Sequence, residues 1–210
     1  MKTMMKRILA FALAALLILG MTVTGAAADP ALNQKLKINQ VAAGDTVKAY
    51  RLVEYDAAFN GYTFYASFAT FLEAEKNAAG FNSLSVQEYF TEKIGTTGVA
   101  ELLGKYAAAC AKTPAAYTLP DVTAEKDAAA DGTVTFDALE PGYYLMLVTT
   151  LPTNSKIYKP VSVFVRVVNE GGKNVVSVYA AGSKLPVPAN PDDPYEIDVK
   201  SAEAPSIIKE

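Results

Sequence analysis

The stretch Thr133–Thr150, TVTFDALEPGYYLMLVTT, constrains the fold more than any other part of the chain. Val134 and Phe136 alternate with Thr133, Thr135 and Asp137, the two-residue period that sends apolar side chains to one face of a sheet. Glu140-Pro141-Gly142 follows. Proline presets φ and glycine tolerates backbone angles that other residues resist, so the chain can reverse there and enter a second strand over Tyr143–Thr149. The expectation is a β-hairpin that offers no nucleophile and no metal ligands. It is an architectural signature, so function has to be argued from where such architecture is used.

The rest of the chain extends that reading to a mainly β domain. LKIN, TVKAYRLVEY and YTFYA between Leu36 and Ala66 are strand candidates, separated by the turn-rich Ala43-Gly44-Asp45 and Phe59-Asn60-Gly61. The period then changes. Phe68, Phe71 and Leu72 sit at helical spacing, and Ser85-Val86-Gln87-Glu88 matches a capping box opening a helix that presents Val86, Tyr89, Phe90 and Ile94. Val99, Leu102, Leu103, Tyr106, Ala107 and Cys110 form one stripe of a third helix. Residues from about 68 to 112 therefore read as a helical insertion covering an end or face of a sheet. Strands resume at Tyr117–Val122. Val161, Val163, Val165 and Val167 then alternate with Ser162, Phe164 and Arg166, and a hairpin loop at Asn169–Lys173 leads into Val175–Ala180. This order fits an immunoglobulin-like or Greek-key antiparallel β-sandwich better than a parallel α/β sheet, which needs helices alternating with strands.

Compartment and chemistry are bounded by the ends of the chain and by what it lacks. Lys2, Lys6 and Arg7 precede an apolar run, Ile8–Leu19, and the small residues Ala26-Ala27-Ala28, the pattern of a secretory leader cleaved after Ala28. A membrane span needs about 20 apolar residues, and Gly20, Thr22, Thr24 and Gly25 interrupt the run too soon. The 19 Lys and Arg, less the three of the leader, stand against 22 Asp and Glu and leave the mature chain at −6. That balance argues against nucleic acid or an anionic membrane as partner. The chain has one cysteine, Cys110, and no histidine, which excludes an internal disulfide, Ser-His-Asp and Cys-His catalysis, and the commonest zinc ligand. No cofactor is expected.

From Leu185 the composition shifts to LPVPANPDDP, with prolines at 186, 188, 191 and 194. Such a segment reads as an extended, semi-rigid acidic linker. The expected organisation is a leader over 1–28, a β domain over 29–184, a linker over 185–203, and the truncated start of a following domain over 204–210.

Taken in order, the leader, VKAYRLVEY, the helical insertion, VTFDALEPGYYLMLV, a valine-rich strand, VSVY and a proline linker resemble the N-terminal domain of sortase-assembled pilins of Gram-positive bacteria. The resemblance covers most of Leu36–Lys184. It implies a structural subunit of a cell-surface fimbria, polymerised when a sortase joins the C-terminal threonine of one subunit to a lysine amine of the next. Its partners would be other pilin subunits and a sortase, and its location the cell wall. In that family the lysine belongs to a Tyr-Pro-Lys motif after a VxVY-like strand. Here Val176-Ser177-Val178-Tyr179 is followed by Ala180-Ala181-Gly182-Ser183 and then Lys184, the candidate intermolecular linkage residue. Sister modules also carry an internal Lys-Asn isopeptide bond promoted by a buried acid in the strand after the Pro-Gly turn. Leu147 and Val148 stand at that place, and Glu140 lies in the turn as a solvated side chain, so no internal bond is expected from Lys35, Lys37 or Lys48. EAPSIIKE resembles the opening strand of a following isopeptide-forming domain, with Lys209 as its bonding lysine.

Other residues have plainer readings. Cys110 sits on an apolar helical stripe and behaves as a small hydrophobe rather than a reactive thiol. Asp127, Asp131 and Gly132 outline part of a calcium loop but lack its third alternating ligand and closing Glu, so they read as a solvated turn. Leu151-Pro152-Thr153-Asn154-Ser155 reads as a turn between strands rather than a sorting signal. Asp192 and Asp193 are paired carboxylates placed in the linker, not in a cleft. An adhesive module recognising a host protein or glycan is the alternative function, and the twelve tyrosines its possible surface. A secreted enzyme is disfavoured by the missing nucleophile-base pair and metal cluster.

Overall fold

A computed structural model describes residues 33–56, 61–93, 98–151, 156–170 and 173–203. The expected leader and Lys209 lie outside them. Alternation in the sequence becomes two sheets. The larger is built on β2 (Thr46–Asp56) and β6 (Gly142–Thr149), antiparallel from Thr46↔Thr149 to Glu54↔Gly142, with a bulge between Arg51 and Val53. Beyond β6 lie β8 (Val161–Glu170), β9 (Lys173–Ala180) and the two-residue β10 (Ser183–Lys184). On the other side of β2, β3 (Gly61–Phe64) and β4 (Ala124–Asp127) pair with different halves of the same strand. The smaller sheet has β1 (Gln34–Asn39) at its centre, between β5 (Val134–Leu139) and β11 (Tyr195–Asp198). A short ribbon joins β7 (Lys156–Tyr158) to β12 (Ser201–Glu203). The chain is thus a mainly β sandwich carrying a helical insertion: α1 (Ala66–Ala78), α2 (Val86–Lys93) and α3 (Gly98–Lys112).

The larger sheet is buried on both faces, which explains the nearly unbroken apolar run of β6. Tyr144 and Met146 face the smaller sheet, among Leu36, Ile38, Phe136, Val163, Val165 and Ile197. Tyr143 and Leu145 point the other way, into a second core formed with the helices by Phe68, Leu72, Phe90, Leu103, Tyr106 and Phe164. Complete burial of one such side chain contributes about 1.5–3 kcal/mol. The second core is also ordered by ring geometry. Phe64 and Phe68 meet Phe90 edge-on, with centroids 5.2 and 6.3 Å away, and Tyr106 packs on Phe68 at 5.0 Å.

The helices form where the sequence spacing and caps require. The Ser85 hydroxyl accepts the Glu88 N–H at 3.2 Å, and the Glu88 carboxylate accepts the Ser85 N–H at 2.7 Å, a complete capping box. The Ser85 N–H, which contributes most, and the Ser85 hydroxyl, donating to the same carboxylate at 2.8 Å, hold the Glu88 carboxyl below its usual range. Ser85→Ala is expected to lower stability by about 1 kcal/mol in urea denaturation, with the slope of the transition unchanged. Phe68, Phe71 and Leu72 on α1, Tyr89 and Phe90 on α2, and Val99, Leu102, Leu103 and Tyr106 on α3 are the buried faces expected from their spacing. Ile94 lies outside the described residues.

Three expectations are corrected. First, β5 and β6 are not a hairpin: β5 pairs with β1 in the smaller sheet, β6 with β2 and β8 in the larger, and Glu140-Pro141-Gly142 carries the chain across the sandwich. Second, Tyr117–Val122 forms no strand. Side chains satisfy its backbone instead: the Tyr106 hydroxyl donates to the Thr118 carbonyl at 2.6 Å, and the Thr118 N–H donates to the Ser67 hydroxyl at 2.9 Å. Third, the expected linker is built into the domain from Tyr195 onward, because Tyr195, Ile197 and Val199 are buried in the sandwich core and β12 pairs with β7. The antiparallel β-sandwich with its helical insertion forms as expected, and β1 and β11 add one parallel pair to it.

Candidate functional site

Lys184 lies at the edge of the larger sheet, and the residues that separate it from Tyr179 decide how it is held. Ala181 and Gly182 have φ of 48° and 85°, the two positive values of a two-residue reverse turn whose twist matches that of the strands. Ser183 therefore returns opposite Ala180, and Lys184 opposite Tyr179. The Leu185 N–H donates to the Val178 carbonyl at 2.8 Å and closes the ribbon. Ala180–Ser183 thus form the turn, and Lys184 lies across from Tyr179 in the β9–β10 pair.

That place is the end of a row of side chains crossing the sheet. Tyr143 pairs with Phe164, Phe164 with Tyr179, and Tyr179 with Lys184. The Tyr143 and Phe164 rings stack with centroids 3.7 Å apart, and Phe164 and Tyr179 at 5.9 Å. Facing residues of an antiparallel pair project from the same side, so Lys184 shares a face with this aromatic row. Its side chain is exposed and makes no ion pair among the described residues. Sequence reasoning named Lys184 but could not see that packed rings stand behind it.

The remaining candidates are scattered. Lys35 donates to the Asp192 carbonyl at 3.0 Å, Lys37 pairs with Glu196 at 3.5 Å, and Lys48 pairs with Glu125 at 3.5 Å. Leu147 and Val148 are half-buried and packed against opposite cores. Cys110 is half-buried on α3, and burial pushes its thiol pKa up, away from reactivity. Asp131 accepts both the hydroxyl and the N–H of Thr133, at 2.8 and 3.1 Å, and the first of these contributes most to lowering its pKa. Asp127 accepts the Thr46 hydroxyl at 2.6 Å. Asp131 thus serves a local turn, and Asp127 the pairing of β4 with β2. Among the described residues no three His, Cys, Asp or Glu are grouped to hold a metal, and no helix is long and apolar enough to cross a membrane. Asp192 and Asp193 are exposed in the proline strap, and Pro152–Ser155 lies outside the described residues.

Three charged residues are anchored in ways their type did not announce. Glu140 is not simply solvated. The Arg51 guanidinium, 16% exposed, pairs with its carboxylate and donates to the Pro141 carbonyl at 2.6 Å. The Tyr144 hydroxyl donates to the Glu140 carbonyl at 2.8 Å, so one turn is gripped from two strands, and burial pushes the Tyr144 pKa up to about 12. Asp45 is fully buried: its carboxylate accepts the Leu151 N–H and the Tyr158 hydroxyl, each at 2.9 Å, while the Tyr158 oxygen accepts the Ala42 N–H at 2.8 Å. Lys76, 4% exposed, donates to the Leu84 carbonyl at 2.7 Å and pairs with Glu73 at 2.9 Å, tying α1 to the start of α2. The Tyr143 hydroxyl is buried without a hydrogen-bond partner among the described residues, and burial raises its pKa.

No family model matches the chain, and no curated protein matches it. Among solved structures, the T6 backbone pilin of serotype M6 Streptococcus pyogenes, a modular three-domain protein decorated with variable loops and extensions, aligns with 85% of this chain at 17% identity and a TM-score of 0.48. The chain spans 30% of the length of that protein.

Proposed function

We propose that the chain is a structural subunit of a surface fimbria, exported by its N-terminal leader and joined to a neighbouring subunit through the amine of Lys184. The observation that carries this reading is the position of that lysine. It is exposed, it lies on a two-residue edge strand, and the turn at Ala181-Gly182 and the row of rings behind it fix its base. A lysine that must meet an activated carboxyl on another protein needs such a combination of reach and fixed origin. In the joining step the deprotonated amine attacks the carbonyl carbon of an acyl-enzyme thioester. The C–N bond forms, the C–S bond breaks, and the amine proton leaves with the transpeptidase thiolate.

Immunoblots of surface extracts from the native bacterium test the assignment. A ladder of high-mass, denaturant-resistant species is expected from the unchanged chain. It should collapse to monomer in Lys184→Arg and persist in Lys200→Arg, another exposed lysine. A ladder unchanged in Lys184→Arg would rule the linkage out. N-terminal sequencing of the exported protein should read from Asp29.

A further inference from the structure

The parallel pairing of β1 with β11 brings together the first and last strands of the sandwich. Leu36 pairs with Tyr195, Lys37 with Glu196, Ile38 with Ile197 and Asn39 with Asp198. Inside the sandwich, Leu36, Ile38, Tyr195 and Ile197 are buried. On the outer face the Lys37 amine meets Glu196 at 3.5 Å, and the Asn39 amide donates to both Glu196 and Asp198 at 3.3 Å. Past the paired segment the Val199 N–H donates to the Asn39 carbonyl at 3.2 Å. β1 is held on its other side by β5, and Tyr195 reaches the larger sheet through a 3.4 Å bond from its hydroxyl to the Val176 carbonyl.

Direction makes this pairing mechanical. In a parallel pair Gln34 and Tyr195 lie at one end, Asn39 and Asp198 at the other. The chain enters β1 at Gln34 and leaves β11 past Asp198. Opposed tension on the two chain ends therefore draws the strands along their own axes in opposite senses and loads the bonds between them together. An antiparallel pairing of the same two strands would place entry and exit at the same end, and the bonds would then open one after another.

We propose that β1 and β11 form a non-covalent shear clamp, which resists force applied between the chain before Gln34 and the chain beyond Asp198. The clamp requires no partner and stands apart from the assignment of Lys184. The short β7–β12 ribbon, whose Ile157, Ser201 and Ala202 are exposed, yields first, and the β1–β11 pair then sets the force at which the domain opens.

Single-molecule pulling on the full chain along two axes tests the clamp, with Cys110→Ala removing the native thiol. Attachment through Asn33→Cys and Ala202→Cys loads β1 and β11 in shear. Attachment through Asn33→Cys and Asp193→Cys pulls on neighbouring ends of the same two strands and peels them apart. All three attachment positions are exposed. The shear axis is expected to need roughly two-fold more force or higher, because four residue pairs share the load in one geometry and bear it singly in the other. Equal forces along the two axes, or a lower force in shear, overturn the proposal.

Discussion

Replacing Gly142 by alanine is expected to destabilise the domain by about 2–4 kcal/mol, whereas the same change at Gly104 leaves it unchanged or slightly more stable. A Cβ on Gly142 would lie 2.6 Å from the Val53 carbonyl oxygen and 2.8 Å from the Arg51 Nε. The first neighbour is backbone in the β2–β6 ladder and cannot swing aside, so relief requires the two strands to separate where the chain crosses the sandwich. The second is the guanidinium that grips Glu140 and Pro141. Gly104 lies within α3 with nothing within 4 Å of an added Cβ, so alanine there gains helix propensity at no steric cost. Thermal unfolding reads the contrast: a midpoint lower by roughly 10 °C for Gly142→Ala and no loss for Gly104→Ala. Equal midpoints would mean that the corner is more yielding than its contacts indicate.

The second large effect is expected at Asp45. Asp45→Ala leaves the Leu151 N–H and the Tyr158 hydroxyl without their carboxylate acceptor in a fully buried site. An unsatisfied buried donor costs about 1–3 kcal/mol, so the loss should reach about 2–4 kcal/mol. Tyr158→Phe removes the link from the other side and strands the Ala42 N–H. Because both changes break one network, the double variant should be less destabilised than the sum of the singles, by about 1 kcal/mol or more. The defect should also be local at first. Hydrogen exchange at Lys156–Tyr158 should accelerate before exchange in β6 does, since β7 is tied to the core through Tyr158. Additive losses would show that the three groups do not act together.

The sequence made strands easier to read than their partners. Alternation of Val134 and Phe136 correctly gave a one-sided strand, because burial of one face is a local property of the pattern. Which sheet receives that strand is not local, and Glu140-Pro141-Gly142 suits a reversal within one sheet as well as a crossing between two. The clue to the crossing was the change from alternation in β5 to an unbroken apolar run in β6, since only a sheet covered on both sides needs such a run. Tyr195, Ile197 and Val199 alternate with Glu196 and Asp198, a strand pattern masked by the prolines before it. Asp45 and Lys76 escaped notice for another reason. Charged side chains are ordinarily exposed, and their burial depends on backbone donors and acceptors supplied by distant turns. Lys184 was legible as a residue type after a VSVY strand, whereas its support came from three strands that only the fold assembles.

The pairing of β1 with β11 also has a consequence in time. These strands are separated by most of the chain, with Leu36 opposite Tyr195. Contacts between such distant residues form slowly, because a long loop must close before they stabilise anything. A chain that emerges amino end first presents Leu36 and Ile38 long before their partners exist. The helical insertion and the β2–β3 hairpin can organise early from neighbouring residues, but the smaller sheet stays unfinished until the final strand arrives. The last strand to emerge therefore decides when the domain closes, so the smaller sheet is completed only once Tyr195–Asp198 is available to pair.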